Sequence, residues 1–286
     1  MNEFKPIRFE TECMEKYARL FEQCFPANGK FNQEYLRWLY VANPLGCAIG
    51  FDAWNGNEIA AHYVTVPMEV EIEGRQERVL LSLNTATHPN YQGRGLFTKL
   101  AELTYEAAAS HGFHSVYGIA NANSTPGFVR KLGFQLVEPL AAKVGIGSLG
   151  VDFSCVRARA QFRATWTDSS LAWRCANPNN PVTLRRCNDR LQVYAPAMGS
   201  GLPAYAELAF DQTIQIELSD RPSLLSPMRL YLGLEPKACP VSRRYVDIPQ
   251  RFRPSPLNLI YKPLVSSPIR LDPGHMSLSF IDFDAY

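Results

Sequence analysis

The run Tyr91-Gln92-Gly93-Arg94-Gly95, continuing into Leu96-Phe97, has the clearest chemical content in this chain. It lies between an apolar run ending near His88 and a segment with Leu100, Leu103, Ala107 and Ala108 at helical spacing. A strand, a glycine-rich turn and a helix start in that order make an anion site. Glycine lets the backbone approach closely, and the amides of residues 92–97 point outward at the positive end of a helix dipole. A diphosphate fits there. No Gly-Lys-Ser/Thr follows, so this is not the Walker pattern. The preceding strand reads as part of a hairpin meander, which disfavours a dinucleotide-binding βαβ unit.

Other chemistries find little support. The five histidines, His62, His88, His111, His114 and His275, show no metal-ligand spacing. The seven cysteines are odd in number, scattered and never in a C-x-x-C pair, so they read as buried free thiols. Cys47 and Cys155, nearest the glycine loop in sequence, lack flanking activating residues, which argues against a cysteine nucleophile.

The elements that must position this loop can be read from periodicity. Met14, Tyr17, Ala18, Leu20, Phe21 and Cys24 predict a helix over 11–24, and Tyr35, Leu36, Leu39 and Tyr40 one over 32–42. Residues 47–53, 58–72 and 77–88 read as three strands, turned at Asn55-Gly56-Asn57 and Gly74. A helix from 96 to 110, a strand over 114–120 and a short helix ending at Gly133 follow. The fold class is α+β, a mixed sheet with flanking helices.

The chain has 286 residues, 46% hydrophobic and 20% charged, enough for a sizeable core and one large or two modest domains. A net charge of +2 gives no reason to expect a nucleic-acid partner. No apolar run suits a membrane span, and the opening residues lack the apolar stretch of a secretion signal, so a cytoplasmic protein without membrane insertion is expected. Composition shifts midway. Fourteen of 18 glycines precede residue 151, and ten of 21 prolines lie between Pro222 and Pro273. The second half carries 14 Arg against 2 Lys. Arginine's planar fork suits phosphate, although solvated surface arginines are the plainer explanation. An internal echo is visible: Leu36-Arg37-Trp38 with Asn43-Pro44 recurs as Leu171-Ala172-Trp173 with Asn177-Pro178, each followed by strand, turn and strand.

The stretch HPNYQGRGLFTKL resembles motif A of the GNAT acyltransferase superfamily, Q/R-x-x-G-x-G/A, with Gln92 and Gly95 in the first two marked places. ANANSTPGFVRKLGF, residues 120–134, resembles that superfamily's next motif. The resemblance covers about residues 1–140. It implies an acyl-CoA cofactor, acetyl-CoA or a short hydroxyacyl-CoA, and direct acyl transfer to an amine. It further implies that backbone groups near Thr85 and Thr87 hold the pantetheine arm. Gln92, Gly93, Arg94, Gly95, Leu96 and Phe97 would hold the pyrophosphate, with Asn123 and Phe128 completing the cofactor site. Two domains are expected: a GNAT domain over 1–145, and a β-rich domain over 146–286, in one reading a degenerate GNAT-like copy, that contributes to the acceptor site.

Three departures follow from the same comparison. The last Gly/Ala of motif A is Phe97. The tyrosine that many members use to protonate the thiolate is Val129. The carboxylate some relatives place on the strand is absent, with Leu81 near its position. Catalytic help would therefore come from polar side chains along the strands: Asn84 first, then His62, Tyr117 and Asn121. A satisfied strand histidine, a core tyrosine and a loop cap are the plainer readings of the last three. The W-L-Y…N-P opening and the extra β-rich half resemble the longer GNAT proteins of bacterial polysaccharide pathways. That implies a nucleotide-linked amino sugar as acceptor, with Arg185, Arg186, Arg243 and Arg244 available to its diphosphate. A GNAT of another amine and a non-catalytic acyl-CoA-binding protein are the alternatives. Oligomeric state is left open.

Overall fold

A computed structural model describes residues 3–26, 29–197, 201–210 and 227–283. The chain divides into two compact units. The first comprises residues 1–68, 77–136 and 260–269; the second comprises 69–76, 137–259 and 270–286.

The first unit opens with a short strand, β1 (Glu3–Pro6), which the sequence reading did not anticipate because four exposed residues have no buried face to set a period. Helix α1 (Thr11–Cys24) buries Met14, Tyr17, Leu20 and Phe21 along one stripe. Helix α2 (Gln33–Tyr40) starts where the Asn32 side chain accepts from the Tyr35 amide, satisfying a first-turn donor. The meander β2 (Ile49–Asn55), β3 (Glu58–Ile72) and β4 (Arg75–Thr87) follows. Glu73 and Gly74, both at positive φ, turn β3 into β4, a conformation suited to the twist of a tight hairpin. Helix α3 (Leu96–Ser110) then crosses to β5 (Ser115–Ala120), which lies parallel to β4. A single π-turn at Gly127–Lys131 leads to β6 (Gln135–Pro139). The strand order is β1-β2-β3-β4-β5, then the late strand Asn258–Pro263, then β6. The core of this layer joins Tyr63, Leu80 and Val116 of the sheet to Leu100, Tyr105 and Ala108 of α3.

A single boundary at 145/146 was expected, whereas this division threads the chain back. Residues 260–269 return to the first unit, and the strand Asn258–Pro263 lies between β5 and β6 in the sheet order. Nothing in a six-residue apolar strand announces a partner more than a hundred residues away.

The second unit contains β7 (Ala141–Ile146), α4 (Phe153–Arg159), β8 (Phe162–Ala164), α5 (Asp168–Cys175), β9 (Thr183–Cys187), β10 (Arg190–Pro196), β11 (Pro203–Ala209), β12 (Met228–Leu234), β13 (Tyr245–Asp247) and β15 (Met276–Ser279), the late strand above being β14. It repeats the pairing order of the first. β9 and β10 form a hairpin, β10 and β11 run antiparallel, and β11 and β12 run parallel through Ala204↔Leu230. The echoed residues also occupy matching positions: Trp38 and Trp173 are buried on α2 and α5. Asn43 accepts from the Leu45 amide and Asn177 from the Asn179 amide, each at 3.0 Å.

The cysteines depart from expectation. Cys155 and Cys239, 84 residues apart with Cα atoms at 5.9 Å, are disulfide-bonded, and Cys47 is exposed. Among the free thiols only Cys13 is fully buried. No local spacing marks a pair that tertiary structure brings together. Among the described residues, no helix is long and apolar enough to cross a membrane, and no His/Cys/Asp/Glu cluster could hold a metal.

Candidate active site

β4 and β5 are paired from Val79↔Ser115 to Ser82↔Gly118, and there the ladder stops. Two residues on, Asn84 takes φ +47°, a left-handed conformation that asparagine tolerates better than most side chains. This kink turns the end of β4 away from its neighbour. The gap opens as a cleft of about 470 Å³ lined from β4 by Ser82, Leu83, Asn84 and Thr85 and from α3 by Phe97. Ile119, Asn121, Asn123, Ser124, Gly127 and Phe128 line it from β5 and the following turn, and Phe25 from beyond α1. Backbone groups at such a divergence have lost their strand partner, and a ligand can take its place.

The glycine loop sits beside the cleft. Gly93 and Gly95 have φ of +77° and +74°, and a Cβ at either would meet nothing within 4 Å. They are glycines for their conformation, and the space over them is open. Gly95 is the N-cap of α3 and supplies no side-chain cap to the first-turn amides. Neighbouring side chains brace the loop: Gln92 donates to the Thr87 carbonyl, Arg94 to the Asn90 carbonyl, and Asn55 to the Tyr91 hydroxyl. Arg94 also lies over the Tyr91 ring, at 5.1 Å.

Phe97, where the motif has a small residue, is accommodated by its neighbours. It stands edge-on to Phe128 and Tyr63, and a Cβ on Gly127 would lie 3.2 Å from its ring. The bulk added at 97 is thus matched by the missing side chain at 127. Beneath, the Tyr63 hydroxyl bonds Ser82 at 2.8 Å and Tyr105 at 2.7 Å. Burial pushes both tyrosines' pKa values upward, so they stay neutral.

A second polar chain approaches the cleft from the opposite side of β4. The Asn84 amide donates to the Tyr40 hydroxyl at 3.1 Å, Tyr40 lies 3.0 Å from His62 Nε2, and His62 Nδ1 lies 2.7 Å from Asp52 Oδ1. Asp52 Oδ2 accepts from the Tyr17 hydroxyl, which accepts from the Arg8 amide. Asp52, His62, Tyr17 and Tyr40 are fully buried.

The residues predicted from sequence fall out as follows. Asn84, Asn121, Thr85, Phe97, Asn123 and Phe128 come together around the cleft. Thr87 lies one strand step beyond, its carbonyl engaged by Gln92 and by the Cys24 thiol. Gln92, Gly93, Arg94 and Gly95 are exposed, whereas the Leu96 side chain is buried, so only its backbone can serve a ligand. Tyr117 is fully buried opposite Leu81 and does not line the cleft. His62 is likewise buried and reaches the cleft only through Tyr40 and Asn84. Asn121 is spent as a loop cap, its Oδ1 accepting from the Asn123 and Ser124 amides. Val129 packs on the core, so no hydroxyl stands in the thiolate-protonating place. None of Arg185, Arg186, Arg243 and Arg244 lines the cleft. Sequence reasoning passed over Tyr40, Asp52, Ser82, Ser124 and Phe25. Tyr40 and Asp52 join His62 from 22 and 10 residues away, on separate elements, and no spacing flags that.

Residues 5–137 match a family model described as an acetyltransferase (GNAT) domain. Over those residues, just under half of the chain, the protein is similar to that family. The divergent β4 and β5 and the glycine loop beside them lie within the matched stretch. Solved structures extend the likeness of fold into the rest of the chain. A probable N-acyltransferase from Enterococcus faecalis aligns over 92% of this chain and 73% of its own, with a TM-score of 0.61 at 10% identity. A GCN5-related N-acetyltransferase from Kribbella flavida aligns over 91% and 71%, at 0.58 and 14%. Eis1 from Mycobacterium abscessus aligns over 91% and 73%, at 0.55 and 12%. No curated protein matches the chain.

Proposed function

We propose that the protein is an acyl-CoA-dependent N-acyltransferase working by direct attack in a ternary complex. The observation that carries this is the cleft between β4 and β5, opened at Asn84 and flanked by two open glycines at the head of α3. An extended thiol carrier with a diphosphate fits these groups. The amides of residues 92–97 take the pyrophosphate, and the backbone around Thr85, beyond the last β4–β5 pair, takes the amide-bearing arm.

The reaction asks little of side chains. A neutral amine attacks the thioester carbonyl carbon; the C–N bond forms, the C–S bond breaks, and the amine's surplus proton is balanced by one taken up by the thiolate. A thiol of reference pKa ~8.5 leaves at modest cost. A main-chain amide at the kink stabilising the oxyanion contributes roughly 3 kcal/mol, by analogy with other acyl-transfer sites. With Val129 and Leu81 in the helper positions, solvent at the open cleft exchanges the protons.

For the acceptor, the nucleotide-linked amino sugar rests on the sequence resemblance alone, because among the described residues no arginine lines the cleft to meet its diphosphate. The test is acetyl-CoA, and separately a short hydroxyacyl-CoA, with a dTDP-linked amino sugar, spermidine, a lysine peptide and an aminoglycoside, following free thiol. Amine-dependent thiol release is expected. Release with every amine except the sugar overturns the sugar assignment, and tight CoA binding with no release makes the protein a non-catalytic acyl-CoA binder.

A further inference from the structure

Four residues from four different elements make one chain of hydrogen bonds ending at the cleft: Asp52 of β2, His62 of β3, Tyr40 of α2 and Asn84 of β4. Such a chain has a direction. An ionised carboxylate at Asp52 only accepts, and it already takes the Tyr17 proton on Oδ2. His62 must then present an N–H from Nδ1 to Oδ1, which in the neutral imidazole leaves Nε2 as an acceptor. With that imidazole neutral, Tyr40 gives its one proton to Nε2, and its oxygen receives the Asn84 amide N–H. The carboxylate thus decides which way round the Asn84 amide sits.

We infer that Asp52, His62 and Tyr40 are positioning residues that hold the Asn84 side chain with its carbonyl oxygen toward the cleft, where it accepts a hydrogen bond from the N–H of the attacking amine. Of the four, Asn84 alone lines the cleft and touches the acceptor. His62 is not the base, since Tyr40 and Asn84 stand between it and the cleft and an amide does not relay protons readily. The kink at Asn84 gives the arrangement its reach, because the residue that opens the strands also carries the side chain pinned by Tyr40. This inference rests on the N-acyltransferase reading for the identity of the amine, but the orientation of the chain does not.

Two readouts separate those claims. In the wild type, nitrogen NMR of the imidazole is expected to find His62 protonated on Nδ1 and bare on Nε2. A proton on Nε2, alone or in addition, overturns the orientation whatever the enzyme does. Kinetically, with acetyl-CoA and the amine found in the panel above, Tyr40→Phe is expected to raise the amine's KM at least tenfold while the CoA dissociation constant stays within twofold. His62→Leu should match it. His62→Gln, whose carboxamide can both accept from Tyr40 and donate to Asp52, should recover most of the loss. If KM for the amine is unmoved in Tyr40→Phe, or if Gln and Leu at 62 fail equally, the side chains only support the fold and the inference is wrong. Absence of any acylated amine, with the imidazole protonated as expected, overturns the enzyme reading and the acceptor contact together and leaves the orientation standing.

Discussion

β4 with β5, and β11 with β12, are parallel pairs in equivalent places of the two units, and they end differently. In the first unit the ladder stops at Ser82↔Gly118 and the strands part around an open cleft. In the second, pairing is confined to Ala204↔Leu230, and β15 then takes the place beside β12, with Gly233↔Ser279 and Leu234↔Leu278. The turn after β15, Phe280–Asp282, packs Phe280 and Ile281 against Ala204, Ala206 and Leu191. One divergence is left open and the other is filled by the chain's own late strand. The linking sequences agree: Gly93 and Gly95 lie between β4 and α3, whereas residues 211–226, outside the described residues, contain no glycine. Two units can share a pairing order and differ in what fills the gap, so on the proposed reading the cleft and loop, more than the strand order, carry function.

The comparison can be broken by emptying the filled gap. Phe280→Ala is expected to destabilise the protein by ~3–5 kcal/mol in denaturant unfolding, the usual cost of truncating a buried phenylalanine, while CoA affinity in calorimetry stays unchanged. A large loss of CoA affinity would mean that the second gap takes part in binding.

Closing the open gap should do the reverse. Gly95→Val forces a β-branched residue to φ +74° and places methyls where the phosphates would lie. CoA affinity is expected to fall about a hundredfold, about 2.7 kcal/mol, with the fold kept because nothing crowds a Cβ there.

The smallest effect is a pH dependence confined to the plug. Burial pushes the Asp282 carboxyl up to about 6, only partly offset by hydrogen bonds from the Ser279 amide, Trp166 and the Ser279 hydroxyl. The folded state therefore holds this proton more tightly than the unfolded chain does. The associated stability is present at pH 4 and lost as pH rises through 6, by at most about 1.4 kcal/mol per pH unit. Asp282→Asn should not share that loss, so its melting temperature should gain on the wild type between pH 4 and 6.5; parallel curves would contradict the assignment.

Much of the first unit was legible because its periodicities are long. Fifteen residues of β3 and fourteen of α1 average out local exceptions, and their limits match the structure. The glycine loop was legible for a different reason, since only glycine takes positive φ there without strain. What escaped was non-local. The return of β14, the Cys155–Cys239 bond and the plugging of the second gap by β15 all depend on segments meeting across long stretches of chain. The site divides along the same line. Asn84 stood out because an amide on a core strand needs an explanation, whereas its partners Tyr40 and Asp52 look like any buried aromatic and any strand-edge acid until they meet His62.

The most direct measurement is a crystal structure of the protein with CoA. The diphosphate is expected on the amides between Gln92 and Phe97, with the pantetheine arm running along β4 past Thr85 and the sulfur near Asn84. A diphosphate bound anywhere else, or a thiol carrier that leaves the space between β4 and β5 empty, would contradict the account.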